Sequence, residues 1–338
     1  MEFLVIVSCA DSGELHALDL TAEGDLRPRQ VLELGGMLMP VAVHPRLPLL
    51  YVARRSDPMA VLAVTITAEG DLELVGDTGW PVSAAYLACD RSGSVLLSAS
   101  YPDHCVTLSR LAAQGLPEPP SQVLPTGRHA HCAVIDPSNR HVYATSLGAD
   151  RIHRYTLHLP PGRLEPAEVV PTRPGAGPRH LVFDREGTRL YLLNELDAGL
   201  DVYAREPGSG ELQHLHTAWT VPDGWTGSRW AAELRLDAEG RRLFATERRS
   251  STLSVFTLDP ASGLPVARVQ VPTEEQPRGM QVSPDGRHVL VAGQQSHHVS
   301  SLAIPTGGGM PRLRSRIEVG RNPNWVEILP LAGRPVQT

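Results

Sequence analysis

The stretch Gly177 to Glu195, GPRHLVFDREGTRLYLLNE, carries a guanidinium and a carboxylate at places symmetric about one turn. Folding about Gly187 sets Arg179 opposite Glu195, about 5 Å apart at Cβ. His131, Arg55 and Arg278 stand at corresponding places elsewhere in the chain. Arginine forks recognise carboxylate or phosphate through paired donors, so several of them around one carboxylate and one histidine fit a small anion. A guanidinium facing a carboxylate at the open end of a hairpin also describes an ordinary surface salt bridge. What separates the two readings is that the hairpin repeats.

Take Asp184, which ends the apolar triplet of the first strand, as a marker. Equivalent triplets end at His44, Asp90, Asp136, Asp237, Ser283 and Leu329, with spacings of 46, 46, 48, 53, 46 and 46. The segment TAEGDL at Thr21–Leu26 recurs unchanged at Thr67–Leu72. Phe3–Val7 therefore corresponds to the second strand of a repeat whose first strand lies near Val326–Leu329. Each unit reads as apolar strand, Asp/Gly turn and second apolar strand, the pattern of an antiparallel hairpin. A strand-rich period of this length predicts an all-β, seven-bladed β-propeller of four-stranded blades, closed by terminal strands that share one blade. One propeller domain spans residues 1–338. Helical periodicity over ten or more residues is absent, and 30 glycines and 30 prolines suit a chain full of turns.

In such a ring, positions five before each marker and eleven after it line the mouth of the central channel. The first set is Met39, Ala85, His131, Arg179, Ala232, Arg278 and Asn324. The second is Cys9, Arg55, Tyr101, Leu147, Glu195, Arg248 and Gln294. Solvated loop ends drift freely, and that is the plain alternative. Positions that only support a repeat should look alike, whereas these differ from blade to blade and are largely polar, which marks a functional mouth. Arg55, Arg179 and Arg278, with Arg229 as a further candidate, make the pocket cationic. The 53-residue interval adds a connection bearing Trp219, Trp225 and Trp230, either a lid or simply a longer loop.

Composition excludes several classes. A net charge of −6 and a pI near 6.2 offer no basic stripe for nucleic acid. All 31 basic residues are arginine, which excludes Schiff-base lysine chemistry and a phosphate-loop lysine. Ser296-His297-His298 invites a metal reading, but adjacent histidines on a strand point to opposite faces, and no HExxH or calcium-type acidic cluster occurs. No metal or other cofactor is expected. No G-x-S-x-G elbow occurs either. Cys9, Cys89, Cys105 and Cys132 show no CxxC spacing, and three fall in predicted inner strands, so they read as buried apolar residues in a reducing compartment. The start MEFLVIVSCA has a lipoprotein-like box at Ile6–Cys9 but carries Glu2 and lacks a positive n-region. The expectation is a cytoplasmic protein with no membrane segment, its oligomeric state open.

The segments GAGPRHLVF, LNEL, SRWAAELRLDAEGRRLFATER, EEQPRGMQVSPDGRHVLVAGQQSHHVS and NPNW resemble the bacterial propeller-type 6-phosphogluconolactonases, from the first strand to the last. That family also includes the fungal carboxy-cis,cis-muconate cyclase. The resemblance implies a lactonase whose site histidine falls on His131, its arginines on Arg179 and Arg278, and its glutamate on Glu195. Arg55, Gln294 and His297 match recurring positions without firm roles. Tyr101, Arg229 and Asn324 join them as candidate substrate-binding residues. His129, two residues before His131, leaves open which histidine acts. A neutral His131 near its ordinary pKa of about 6.5 would serve as base for water, with Glu195 orienting it or acting as base itself. Arg179 or Arg278 would face the oxyanion and Arg55 the 6-phosphate. The rivals are a lactonase or cycloisomerase acting on a carboxymuconate-type or unphosphorylated sugar lactone and, from another class, a non-catalytic interaction platform.

Overall fold

The computed structural model describes residues 2–306 and 309–331. Twenty-eight strands, numbered β1–β28 in chain order, form seven four-stranded antiparallel sheets, and no α-helix occurs among the described residues. The innermost strands are β4 (Leu38–Val43), β8 (Ala84–Cys89), β12 (Ala130–Ile135), β16 (Pro178–Phe183), β20 (Ala231–Leu236), β24 (Pro277–Val282) and β28 (Pro323–Pro330). Each packs against the next around the ring, and β28 closes onto β4. β1 (Phe3–Cys9) pairs with β28 from Phe3↔Pro330 to Cys9↔Pro323, so the two ends of the chain complete one blade, as the repeat register predicts. The expected seven-bladed propeller is the fold observed.

Burial explains the strand sequences. Second strands such as β9 (Val95–Ser100) and β13 (His141–Ser146) are buried along their whole length, because both faces of a blade pack against neighbouring blades. They therefore read VLLSAS and HVYATS rather than as a strict apolar/polar alternation. Outer strands such as β7 (Leu72–Gly79) are mostly exposed and polar. Cys89 and Cys132 lie on innermost strands, Cys9 on a second strand and Cys105 on a third. All four are free thiols. Burial pushes the Cys9 and Cys132 thiols up to about 12, which leaves them protonated and inert.

The marker column is structural. Asp184 Oδ1 accepts hydrogen bonds from the backbone N–H of Thr188 (2.7 Å) and Arg189 (2.9 Å), while Gly187 takes the left-handed conformation the turn needs, φ 70°. Asp90, Asp136 and Asp237 repeat the same acceptance in their own turns. One detail of the expected register is corrected. Pro178 pairs with Asn194 and His180 with Leu193, so Arg179 is an extra residue with no cross-strand partner. The same one-residue surplus occurs on the innermost strand of every blade, at or beside Met39, Ala85, His131, Arg179, Ala232, Arg278 and Asn324. A β-bulge bends its strand and re-aims the side chain, so the bulges carry the mouth residues out of the blade pleat.

Asp136 ties a turn to the neighbouring blade. It is fully buried and accepts from the guanidinium of buried Arg205 (2.5 Å). Burial alone pushes its carboxyl up. Hydrogen bonds from Ser138, His141 and Arg140 and the charge of Arg205 bring it below its ordinary value. This stabilisation is present above the unfolded value of about 3.9 and is lost as pH falls through the depressed folded value. Asp136→Asn strands a buried guanidinium, so urea unfolding at pH 7 should show a loss of about 3 kcal/mol that narrows toward acid pH. A variant as stable as the parent at pH 7 would sink this account.

Candidate functional site

Glu195 is the hub of the mouth. Its backbone N–H bonds to Gly177 O (2.7 Å), which fixes the open end of the β16 hairpin. Oε2 lies 2.9 Å from Arg179 Nε and 2.9 Å from Arg248 Nη2, and Oε1 accepts from the Trp230 indole at 3.1 Å. The expected pairing with Arg179 is thus made, through the bulge rather than across the ladder. Burial pushes the Glu195 carboxyl up, but Arg248, Arg179 and the Trp230 hydrogen bond outweigh it and hold the group ionised. With three donors on its two oxygens, the carboxylate is a poor proton acceptor.

Arg179 and Arg248 are almost fully buried. Arg179 also donates to Ala232 O and to His180 Nε2. Arg248 donates to the carbonyls of Trp230 and Ala231 and lies 3.7 Å over the Trp230 ring. Arg278 and Arg55 differ in kind. Arg278 Nη2 approaches the Met39 sulfur at 3.5 Å and Arg55 Nη1 at 3.0 Å, and Arg55 Nε donates to Ser83 Oγ. Among the described residues neither has a carboxylate within 4.0 Å. Burial and the neighbouring charges of Arg179 and Arg55 push Arg278 down to about 9 against the opposing pull of Glu195 and Glu233, so it stays cationic at neutral pH.

His131 sits in the bulge of β12, 5% exposed, and among the described residues its Nδ1 has no hydrogen-bond partner. Its ring is 5.2 Å from that of His180 and 6.1 Å from that of Tyr101. Burial first, then Arg179, His180, Arg278 and Arg248, push it well below its ordinary value, so the expectation of a near-normal pKa is corrected. His129 does not compete for the same place. It stacks on Tyr101 at 4.1 Å, with φ 64°, and forms a wall beside His131.

Other expected positions serve different ends. Asn324 gives its amide hydrogens to the carbonyls of Ser8, Leu38 and Asn322 and accepts from Ser8 Oγ, which clasps the closing blade to the first. Gln294 donates to Asn322 Oδ1 (2.6 Å), and His297 Nδ1 accepts the Asn322 N–H, so both brace the seam between the last two blades. Arg229 is drawn away from the arginine cluster. It donates to Asp197 O and lies over Trp219, beside a cavity that Trp225 and Arg268 also line. The long connection thus brings Trp230 to the mouth and leaves Trp219 and Trp225 outside it. Arg248 was legible as a mouth position but not as a partner of Glu195. Trp230 and Glu233 carried no signal beyond their place near the long connection. Among the described residues no three His, Cys, Asp or Glu side chains converge as a metal-ligand set, and no helix is long and apolar enough to cross a membrane.

The chain and its architecture have counterparts among known proteins. A 6-phosphogluconolactonase of Erwinia tasmaniensis is 35% identical over 332 residues, 97% of this chain and 99% of the relative. One from Pectobacterium carotovorum subsp. carotovorum is 35% identical over 334 residues, covering 98% of this chain and all of the relative. Among solved structures, the Pseudomonas aeruginosa periplasmic gluconolactonase PpgL superposes with a TM-score of 0.90 at 26% identity, covering 98% of this chain and 100% of that one. The family description "Lactonase, 7-bladed beta-propeller" matches residues 4–328, and the chain belongs to that family.

Proposed function

We propose that the protein is a 6-phosphogluconolactonase, hydrolysing 6-phospho-D-glucono-1,5-lactone to 6-phosphogluconate in the oxidative pentose phosphate pathway. The observation that carries this reading is the division of charge at the mouth. Glu195 pairs with both Arg179 and Arg248, while Arg55 and Arg278 flank Met39 with no carboxylate within 4.0 Å among the described residues. Two guanidiniums with no directly paired carboxylate suit a group carrying close to two negative charges, as a phosphate monoester does.

In this reading the 6-phosphate lies between Arg55 and Arg278, and the lactone carbonyl lies beside Arg179. Neutral His131 takes a proton from water as the oxygen bonds to C1, and the carbonyl oxygen becomes an oxyanion facing Arg179. Collapse breaks the C1–O5 bond, and O5 takes the proton back from the imidazolium. The carboxylic acid so formed then ionises. Glu195 acts by holding Arg179 and Arg248 rather than as the base, because its oxygens already have three donors. A δ-lactone opens slowly unaided, so the catalyst needs to lower a smaller barrier than for an amide. The free thiols fit a cytoplasmic setting.

A lactone with two carboxylates satisfies the same two guanidiniums, so the decisive assay compares substrates. Freshly generated 6-phosphogluconolactone, corrected for spontaneous opening and run with chelator, should disappear much faster with the protein present. Acceleration confined to a muconolactone or to glucono-δ-lactone would overturn the phosphate assignment. Replacing Arg55 or Arg278 by Met should raise KM for the phosphorylated lactone about 10- to 100-fold, the worth of one hydrogen bond to a charged group. The same variants should leave turnover of glucono-δ-lactone nearly unchanged, and equal losses on both substrates would count against a phosphate subsite.

The depressed pKa of His131 sets the pH dependence. Only the neutral ring accepts a proton, so kcat/KM should stay level as pH falls through 6.5 and decline only below it. A bound anion offsets the arginine charges that depress the ring. Histidine-ring NMR should therefore show the His131 pKa rising when 6-phosphogluconate saturates the protein. A free-protein titration at or above 6.5 would contradict this electrostatic account.

A further inference from the structure

The residue after each bulge position follows the mouth residue into the ring, and the rings of Tyr86, His180 and Trp325 meet there as a second layer. Six blades place Pro, Tyr, Cys, Glu, Gly and Trp there, and the fourth places His180. His180 and Glu233 occupy this layer in adjacent blades, both about 1% exposed. His180 Nδ1 is 2.7 Å from Glu233 Oε1, and Arg179 Nη1 is 3.1 Å from His180 Nε2. A guanidinium only donates, so Nε2 must be the bare nitrogen and the ring proton must sit on Nδ1, pointing at Glu233. Glu233 is fixed in turn by the Leu234 N–H (3.1 Å) and by Arg235 Nη1 (2.8 Å).

We propose that His180, locked in its Nδ1–H tautomer by Glu233, is a positioning residue that sets the orientation of the Arg179 guanidinium and backs the ring of His131. The geometry supplies the reason. Arg179 Nε is held by Glu195, and that one contact leaves the plane of the guanidinium free to turn; His180 and the carbonyl of Ala232 fix the other end. A buried histidine–carboxylate pair is costly to desolvate, and the apolar or small residues of the other blades fill this layer without one. Burial and the surrounding arginines keep His180 neutral, the state in which Nε2 can accept.

The inference rests on the reading that Arg179 faces the oxyanion, and the tests separate the two. In the unliganded wild-type protein at pH 7, ¹⁵N–¹H correlation of the histidine rings should show His180 protonated on Nδ1 alone. An Nε2–H tautomer or an imidazolium overturns the proposal whatever the activity. In kinetics, His180→Leu should lower kcat roughly tenfold with KM within about threefold, less than the roughly 10²–10³-fold expected when a donor to the oxyanion is itself removed. His180→Gln, whose amide oxygen can accept from Arg179, should recover most of the loss. In an Arg179→Leu background the His180 substitutions should have little further effect. If Arg179→Leu leaves kcat unchanged, the oxyanion reading fails. If Arg179→Leu is severe while folded His180→Leu keeps full kcat, the positioning role fails.

Discussion

The mouth of this propeller depends on one carboxylate holding mutually repelling cations together. Arg179, Arg248 and Arg278 all lie close enough to act on Glu195 and His131, and Arg55 acts on Arg278. Like charges in a partly desolvated pocket repel strongly, and only fixed hydrogen bonds keep them converged. Glu195 meets two of the guanidiniums directly, and main-chain carbonyls of Trp230, Ala231 and Ala232 take other N–H groups. The remaining cations, Arg55 and Arg278, have no carboxylate within 4.0 Å among the described residues, so the cations of the mouth outnumber the carboxylate that pairs with them.

The propeller meets this constraint through a defect repeated in every blade. An ideal ladder would send alternate side chains into the seams between blades, where apolar residues belong. One extra residue at the start of each innermost strand breaks that alternation at the mouth and restores it a residue later. Chemistry and packing are thereby separated along a single strand. Arg179 can serve the pocket while Leu181, two residues on, is buried in the core. The second layer of the channel couples these roles, since His180 and Glu233 link the mouth to the buried interior.

The long connection between the fourth and fifth blades splits in two. Trp230 enters the mouth, donates to Glu195 and supports Arg248 on its ring face. Trp219, lying between Arg173 and Arg229, faces a separate rim cavity. The insertion therefore contributes one indole to the electrostatic hub and does not gather all its aromatic and cationic side chains over the site.

The sequence by itself determined the architecture, because the repeat of about 46 residues, the Asp/Gly turns and the apolar triplets are local and periodic, and a strand–turn–strand unit of that length stacks as a propeller blade. It also determined which column of each repeat faces the mouth, and so pointed to His131, Arg179, Glu195, Arg278, Arg55, Tyr101 and Arg248. Only the tertiary structure decided what those residues do there. Asn324, Gln294 and His297 occupy mouth columns or their flanks yet serve as clasps between blades, and Arg229 turns toward Trp219, because partners come from neighbouring blades far apart in the chain. The depressed pKa of His131 and the contrast between paired and unpaired arginines are likewise collective. They arise from burial and from charges contributed by several blades, which no spacing within one repeat encodes.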